Sequence, residues 1–324
     1  MHKQISKLFL HILGISILLL LAAVPSRAME NRSTEILWDT WGIPHVYAKT
    51  NEDMFYAFGY AQMQSHGNLL LDLYGRARGR AAEYWGAENI ASDRWVWLNR
   101  IPALTQTWDE AHSEQFQRFY DAFAQGINDY AYNHPDRIEK ALKVVLPITR
   151  RDLLAHILRA VIFHGITLPE VMEDAKEDLP TQSKGSNGWV IAPSKSASGN
   201  SMLLINPHLP WMDLMTLYEA HLTSPDYHAY GATFVGTPML AFAFNESHGW
   251  THTINTHDGE DLFELTLVDG GYAWDEGVKP FEERAQTIFV KQEDGSLAEE
   301  TFQFKYSLHG PVIAEEGDKA IALR

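Results

Sequence analysis

The sequence predicts an α+β protein in which a mainly helical first part is followed by a β-rich second part. Apolar residues recur at helical spacing between about residues 54 and 163, and short apolar segments separated by Gly, Pro and Asn follow residue 186. With 324 residues, 45% of them hydrophobic, the chain can bury a substantial core. Many β segments are apolar on both faces, which favours a sheet packed between two layers.

The first 28 residues have the composition of a secretory signal. Lys3 and Lys7 form a positive start, residues 8–24 are an apolar run, and Ser26-Arg27-Ala28 offers a small-x-small cleavage site. The alternative is an uncleaved membrane anchor, but the run is short for a span of about 20 residues. We therefore predict removal of residues 1–28, a periplasmic or secreted location, and no stable membrane association afterwards.

A predicted hairpin and three predicted helices make up residues 29–164. Residues 34–39 and 43–48 alternate as strands, and Asn51 is the N-cap candidate of a helix over 54–73. Ser113 caps a second helix that reaches about residue 133. The apolar positions of this second helix are predicted to be core: Phe116, Phe119, Phe123, Ile127 and Tyr130.

Thr149-x-x-Asp152 is a capping box for the third helix, which is predicted to extend through Phe163. Residues 81–86 are predicted to form a turn. Three arginines lie just before that turn, and we expect solvated charges and salt bridges there instead of an anion site: Arg76, Arg78 and Arg80. The predicted buried face of the third helix is Leu153, Leu154, Ile157, Leu158, Val161 and Ile162.

Residues 165–185 differ in composition from both flanking parts. They are rich in Asp and Glu, contain Pro169 and Pro180, and hold few large apolar groups. This pattern predicts an exposed linker, and any surface loop would have the same composition. The β-rich part, residues 186–324, has strands predicted over 189–192, 202–205, 217–222, 227–232, 240–245, 249–255, 263–267, 287–291, 301–306 and 320–324, with a hairpin turn at 293–295.

Gly185 and Ser186 stand at the start of this second part. Gly185 leaves its carbonyl open to close approach, and the hydroxyl of Ser186 follows it immediately. If the bond between them breaks, Ser186 acquires a free α-amine beside its own hydroxyl, which pairs a base with a nucleophile in one residue. The alternative is an ordinary β-hairpin, because a lone Gly-Ser pair carries little information.

Three motifs in order make a more specific pattern than that pair. They are Gly185-Ser186-Asn187-x-Trp189, the polar turn ending in Ala197-Ser198-Gly199, and Asn206-Pro207-His208-x-Pro210-Trp211. Together with Gly42-x-Pro44-His45 they resemble the penicillin acylase family of N-terminal nucleophile hydrolases. The resemblance implies a four-layer αββα fold, incomplete in this chain.

The same resemblance implies a division of the chain by maturation. Residues 29–164 would form a small subunit, 165–185 a spacer that is removed, and 186–324 the first part of a large subunit. The two subunits would remain together as a heterodimer. Because members of the family extend well beyond this length, we expect a truncated chain.

The resemblance also assigns site residues. Ser186 would be the nucleophile, Gly185–Ser186 the processing bond, and the backbone of Ile254 an oxyanion donor, with a second donor, an Asn side chain, beyond residue 324. His208 would hold and tune the nucleophile, and a core histidine is the alternative. The acyl pocket would be lined by Leu209, Ala241, Phe242 and His252, each of which is otherwise a core residue.

The acidic loop after residue 254 is rich in oxygen ligands, which suit Ca²⁺. The resemblance implies a calcium site there, with Asp258, the main-chain oxygen of Glu260, Asp261 and, from the small subunit, Glu170 as its ligands. A solvated acidic turn is the alternative. We expect no organic cofactor, and no zinc site at His248 and His252, because they do not share a helix face.

Composition excludes other classes of function. The absence of Cys excludes thiol nucleophiles and disulfides, and the net charge of −16 argues against nucleic acid as a partner. The resemblance implies an amidohydrolase for a linear N-acyl amide such as an acyl-homoserine lactone or a penicillin. The small Ala241 and the aliphatic Leu209 favour a fatty acyl chain. The alternative is a catalytically incomplete exported protein that only binds acyl amides.

Overall fold

A computed structural model describes residues 34–165, 185–209, 213–253, 261–275 and 277–324. The predicted signal and residues 166–184 of the predicted spacer lie outside these ranges. The helices are α1 (Asn51–Ala77), α2 (Ala81–Trp85), α3 (Ile90–Leu98), α4 (Ile101–Ala111), α5 (Glu114–Asn133) and α6 (Arg150–Gly165). Over the part of the chain that the structure describes, no helix has both the length and the apolar character needed to cross a membrane.

The described strands alternate with tight turns and confirm that the second part is β-rich. They are β1 (Thr34–Trp38), β2 (Pro44–Ala48), β3 (Ser186–Ile191), β4 (Met202–Pro207), β5 (Leu217–Ser224), β6 (Tyr227–Phe234), β7 (Phe242–Phe244), β8 (Gly249–Trp250), β9 (Leu262–Val268), β10 (Gly271–Trp274), β11 (Gly277–Lys279), β12 (Glu282–Lys291), β13 (Leu297–Tyr306), β14 (Val312–Glu316) and β15 (Lys319–Leu323).

The helical part differs from the prediction at its caps and in its number of helices. The N-cap of α1 is Thr50, not Asn51, because the Thr50 hydroxyl accepts the Asp53 N–H at 3.1 Å while the Asn51 side chain accepts a hydrogen bond from Ser224. Ser113 caps α5 as predicted. Residues 81–86 contain the helix α2 in place of a turn, and α3 and α4 were not predicted.

Two predicted core positions are wrong. Phe116 lies at the N-terminal end of α5 and is 41% exposed, and Val161 in α6 is 59% exposed. Each continues an apolar spacing past the point where a neighbouring element covers it. The predicted ion pairs are present: Arg76 contacts Asp72, Arg78 contacts Asp152, and Arg80 contacts Glu83.

The described strands form a six-stranded sheet in the order β1-β2-β5-β6-β7-β8, in which β2 and β5 run parallel and the other neighbours antiparallel. Helix α1 covers one face of this sheet: the rings of Phe58 and Tyr218 lie 6.1 Å apart, and the Tyr74 hydroxyl donates to the Gly236 carbonyl at 2.7 Å. The protein is thus mixed helix and sheet, and the four-layer arrangement stays a prediction.

Strands β9, β10, β11, β14 and β15 form a second sheet around the buried Tyr272. The hairpin β12–β13 turns at residues 293–295, as predicted, and packs on helices α2 and α3 through Ile288 and Val290. The Tyr306 hydroxyl fastens the same hairpin to the Leu98 carbonyl at 2.9 Å. The hairpin β3–β4 forms a separate two-stranded sheet, and it carries Gly185 and Ser186 at its open end.

Candidate active site

Ser186 is the first residue of β3, and Gly185 immediately precedes it. In the antiparallel register Ser186 faces Pro207, so His208 lies directly beside the Gly185–Ser186 bond. The two residues are half-buried, while the strand that follows them is exposed. The bond is therefore held at the mouth of a hairpin, where both water and a catalytic group can reach it.

The carbonyl oxygen of Gly185 accepts two hydrogen bonds. The Ser186 hydroxyl donates to it at 2.7 Å, and the backbone N–H of His208 donates at 3.3 Å. A backbone N–H on a carbonyl oxygen is the kind of donor that stabilises the negative charge of a tetrahedral intermediate. The serine hydroxyl and a preformed donor thus converge on one amide bond.

The ring of His208 lies between two asparagines that face each other across the hairpin, Asn187 and Asn206. Its Nε2 is 3.2 Å from Asn187 Nδ2 and 3.1 Å from Asn206 Oδ1. The Asn187 amide nitrogen only donates, so its contact needs Nε2 without a hydrogen. The Asn206 amide oxygen only accepts, so its contact needs a hydrogen on Nε2. Each asparagine therefore favours a different neutral tautomer of His208.

The hairpin docks on strand β8 through two glycines. A Cβ at Gly188 would lie 2.7 Å from Thr251 Cγ2, and a Cβ at Gly249 would lie 2.7 Å from Leu203 Cδ2. Both spacings are too short for any larger residue without a shift of the neighbour. This close approach brings residues 249–253 beside the strand that begins with Ser186.

Three of the four predicted pocket residues lie together behind β8. The Ala241 carbonyl accepts hydrogen bonds from Trp250 Nε1 and His252 Nε2, each at 2.9 Å. The rings of Phe242 and His252 lie 5.6 Å apart, and Phe242 is buried. Among the described residues, no hydrogen bond or ring contact joins Leu209 to these three.

Most of the remaining predicted site residues lie outside the described ranges: Ile254, Asp258, Glu260 and Glu170. Asp261 is described, and its backbone pairs with that of Arg324 through two hydrogen bonds of 3.2 and 3.0 Å. Its side chain is exposed, and its carboxylate suits a hard cation such as Ca²⁺. Within the described ranges, no three His, Asp or Glu side chains are arranged to hold a metal ion.

Sequence reasoning missed four residues that the structure adds to the site: Asn187, Asn206, Trp250 and Thr251. The two asparagines were detectable, because pairing Ser186 with Pro207 places residues 187 and 206 opposite each other. Trp250 and Thr251 act through contacts with residues far along the chain, Ala241 and Gly188, and no local pattern reports such contacts.

Ser186 thus stands at the head of a strand, and the carbonyl before it accepts hydrogen bonds from its own hydroxyl and from a backbone N–H. The chain belongs to the penicillin amidase family, whose model matches residues 33–324.

Among curated relatives, the chain is 28% identical to the acyl-homoserine lactone acylase PvdQ of Pseudomonas putida, over 90% of this chain and 42% of the relative. It is 24% identical to the acyl-homoserine lactone acylase QuiP of Pseudomonas aeruginosa, over 77% of this chain and 37% of the relative. The chain thus spans about two fifths of the length of these relatives.

Among solved structures, a thermostable penicillin G acylase from Alcaligenes faecalis matches with a TM-score of 0.37 and 23% identity, over 50% of this chain and 98% of that chain.

Proposed function

We propose that the protein is the precursor of an exported amidohydrolase that cleaves itself at Gly185–Ser186 and then hydrolyses a linear N-acyl amide. The observation that carries this proposal is the pair of hydrogen bonds on the Gly185 carbonyl, from the Ser186 hydroxyl and the His208 N–H. Membership of the penicillin amidase family supports it, as do the printed activities of the relatives.

The first reaction is maturation. Ser186 Oγ attacks the carbonyl carbon of Gly185, and the His208 N–H stabilises the oxyanion. The C–N bond breaks, the hydroxyl proton passes to the leaving nitrogen, and an ester links the two residues. Water then hydrolyses this ester, which leaves a carboxylate on Gly185 and a free α-amine on Ser186.

In the second reaction the Ser186 amine acts as the general base. Its ordinary pKa is about 7.7–8.0, so roughly a tenth to a sixth of it is neutral at pH 7, and this neutral form takes the proton of its own hydroxyl. Oγ attacks the amide of the substrate, the amine product leaves with that proton, and water releases the acid from the acyl-enzyme. Ile254 is proposed as the backbone oxyanion donor for this step.

For the acyl group we propose a fatty chain, as in an acyl-homoserine lactone, with a penicillin as the alternative. The buried Phe242 ring and the small Ala241 supply an apolar wall, and two hydrogen bonds to the Ala241 carbonyl keep that wall fixed. Leu209 is proposed as a further contact. The relatives named acyl-homoserine lactone acylases support this choice of substrate.

The proposed mature form is a periplasmic or secreted heterodimer of residues 29–164 and the chain that begins at Ser186. A Ca²⁺ ion, bound by Asp258, Glu260, Asp261 and Glu170, would neutralise their charges and fix the acidic loop. The exposed carboxylate of Asp261 is compatible with such a role.

The test is mass spectrometry of the full-length gene product, together with the variant Ser186→Ala. We expect a chain that starts at Ser186 and hydrolysis of a long-chain acyl-homoserine lactone in the wild type. Ser186→Ala should remain one chain without turnover. The matched control is Ser194→Ala, in the turn of the same hairpin, which should mature normally. Normal maturation and turnover in Ser186→Ala would refute the proposal.

A further inference from the structure

Three histidines form a continuous chain on the face of the six-stranded sheet that points away from α1. Nδ1 of His45 in β2 is 3.1 Å from Nδ1 of His221 in β5, and Nε2 of His221 is 2.9 Å from Nε2 of His228 in β6. Carboxylates lie at both ends: Glu246 is 2.6 Å from His228 Nδ1, and Asp39 is 3.8 Å from His45 Nε2. We refer to these five residues as the histidine chain.

The number of hydrogens that the histidine chain can hold follows from the contacts between its members. The Thr223 hydroxyl is a further neighbour, 3.3 Å from His221 Nε2, and it can rotate to donate or to accept. Each contact between two ring nitrogens accommodates one hydrogen, because two N–H groups cannot point at each other at about 3 Å. The contact with Glu246 needs a hydrogen on His228 Nδ1, and His45 Nε2 facing Asp39 can carry one more. Three neutral rings supply three hydrogens for four positions, so the histidine chain has room for one added proton while all its contacts are kept.

We infer that the histidine chain is a proton-sensitive clamp between β2 and β5: it stays closed with no or one added proton and opens when a second proton arrives. The first added proton takes the one vacant position, His45 Nε2, where the carboxylate of Asp39 at 3.8 Å offsets its charge. The second has no vacant position, so it drives two imidazole N–H groups against each other and breaks a ring contact.

The charges around the histidine chain agree with room for only one added proton. Burial, then the neighbouring His228 and His45, lower the pKa of His221. The pKa values of Asp39 and Glu246 are also lowered, chiefly by backbone hydrogen bonds, so both carboxylates are ionised at pH 5–7. The titratable groups that face His221 from the elements around it are Asp39, His45, Tyr47, Glu219, His228, Tyr230 and Glu246.

The sign of the effect follows from the depressed pKa of His221. In the unfolded chain this histidine takes up its proton near pH 6.5, whereas the folded chain resists it. Its contribution to stability is therefore present above about pH 6.5 and is lost as the pH falls through the lower value of the folded state. Acidification should loosen the pairing of β2 with β5.

The pairing of β2 with β5 would have a second role if the chain is cut at Gly185–Ser186. The pairing of β2 with β5 joins three residue pairs, with His45 opposite His221, and β2 precedes the proposed cleavage site while β5 follows it. After cleavage the clamp would link two separate chains, and this consequence alone rests on the proposed function. The hydrogen count holds for the uncut chain as well.

The test is hydrogen–deuterium exchange of residues 44–48 in the full chain, corrected for the intrinsic pH dependence of amide exchange. In the Ser186→Ala background, which separates this test from maturation, we expect protection to fall several-fold from pH 7 to pH 5, because the pKa of His221 is lowered in the folded chain. His221→Gln and His228→Gln should reduce this fall to less than about twofold. His112→Gln, at a half-buried histidine that follows α4, should keep the full fall.

Two results would overturn the inference. One is protection of residues 44–48 that does not change with pH in the parent chain, or that falls equally in His221→Gln and His228→Gln. The other is loss of protection at pH 7 on addition of EDTA with recovery on addition of Zn²⁺ alone, which would make the cluster a metal site instead of a proton-sensitive one.

Discussion

At the residue scale, the chemistry of the site depends on which nitrogen of His208 carries hydrogen. Its Nδ1 lies toward the scissile residue, 3.5 Å from the position of a Cβ on Gly185. If Nδ1 relays the proton of the Ser186 hydroxyl to the leaving nitrogen in the proposed maturation, the neutral ring must carry its hydrogen on Nε2. That hydrogen would be donated to Asn206 Oδ1, 3.1 Å from Nε2, and would orient the ring for this role.

Asn206→Ala should therefore slow the proposed cleavage at Gly185–Ser186 about fivefold, the effect of one lost hydrogen bond of roughly 1 kcal/mol. Asn187→Ala is the matched control on the opposite strand, and it should change the rate by less than about threefold, because its amide serves the other tautomer. The measurement is the appearance of the new N-terminus over time by mass spectrometry. A slower cleavage in Asn187→Ala than in Asn206→Ala would instead place the hydrogen of the neutral His208 ring on Nδ1.

The resemblance assigned roles to Ser186 and His208 because both belong to one short motif series, and these roles stay predictions. The sequence pattern could not show that Asn206 and Asn187 compete for one ring nitrogen, since that depends on cross-strand register. Exposure of single residues was equally out of reach: Val161 keeps the helical spacing of the core and is nevertheless 59% exposed.

At the element scale, the position of the nucleophile depends on how closely the hairpin β3–β4 approaches β8. The hairpin itself is largely exposed, with Trp189 63% and Val190 76% accessible, so few side chains hold it. Gly188 and Gly249 remove the Cβ atoms that would keep the two elements apart. The absence of two side chains thus determines where Ser186 lies.

Gly188→Ala should destabilise the protein by about 1–2 kcal/mol, because its Cβ would overlap Thr251 Cγ2. Thr251→Ser removes that methyl group, so the double variant should recover all but about 0.5 kcal/mol of the loss caused by Gly188→Ala. Gly277→Ala, where a Cβ meets open space, is the control. The measurement is the free energy of unfolding in urea, and strictly additive effects would contradict the contact.

The elements were predicted well where a local signal sets them. Ser113 marks the start of α5, and residues 293–295 mark the turn between β12 and β13. Helices α3 and α4 were missed because they are short and join at Arg100, a non-glycine residue with φ of 55° that carries no turn signature. The strands β12 and β13 extend beyond their predicted ranges because each pairs with the other over ten residues.

At the scale of the whole molecule, two buried groups give the stability opposite pH dependences. Burial, then the charge of Arg159, lower the pKa of His156 to about 4, and its Nε2 donates to the Val235 carbonyl at 2.9 Å. Burial raises the pKa of Asp93 to about 6, although the backbone N–H groups of Ala82 and Ala81 favour its ionised form. Both groups titrate in the same pH range.

The sequence predicted the order of the helical and β-rich parts, but not these two groups. His156 lies on an apolar helix face that packs on the β6–β7 connection, and Asp93 lies under the start of α2. Both contacts depend on how separate elements assemble, which the sequence pattern does not encode locally. Calcium at the acidic loop and the four layers stay predictions for the same reason, because they depend on packing beyond the described residues.

The final prediction follows from the signs of these shifts. His156 contributes stability that is present above about pH 6.5 and lost toward pH 4, about 3 kcal/mol in all. Asp93 contributes a similar amount below about pH 4, which is lost as the pH rises through about 6. The two effects therefore nearly cancel between about pH 4.5 and 6.5. Urea unfolding at several pH values in that range measures, for any variant, the summed contribution of the two groups to the free energy of unfolding.

Relative to the wild type, His156→Gln should lose about 2 kcal/mol of stability as the pH rises across that range, because only Asp93 then acts. Asp93→Asn should gain about 2 kcal/mol over the same range, and the double variant should return to the wild-type slope. His248→Gln, at an exposed histidine, is the control and should leave the slope unchanged. The comparison uses the slope of the free energy of unfolding against pH, so any loss of stability that does not depend on pH cancels. Parallel curves for the wild type and both single variants would show that neither group titrates differently in the folded and unfolded chains.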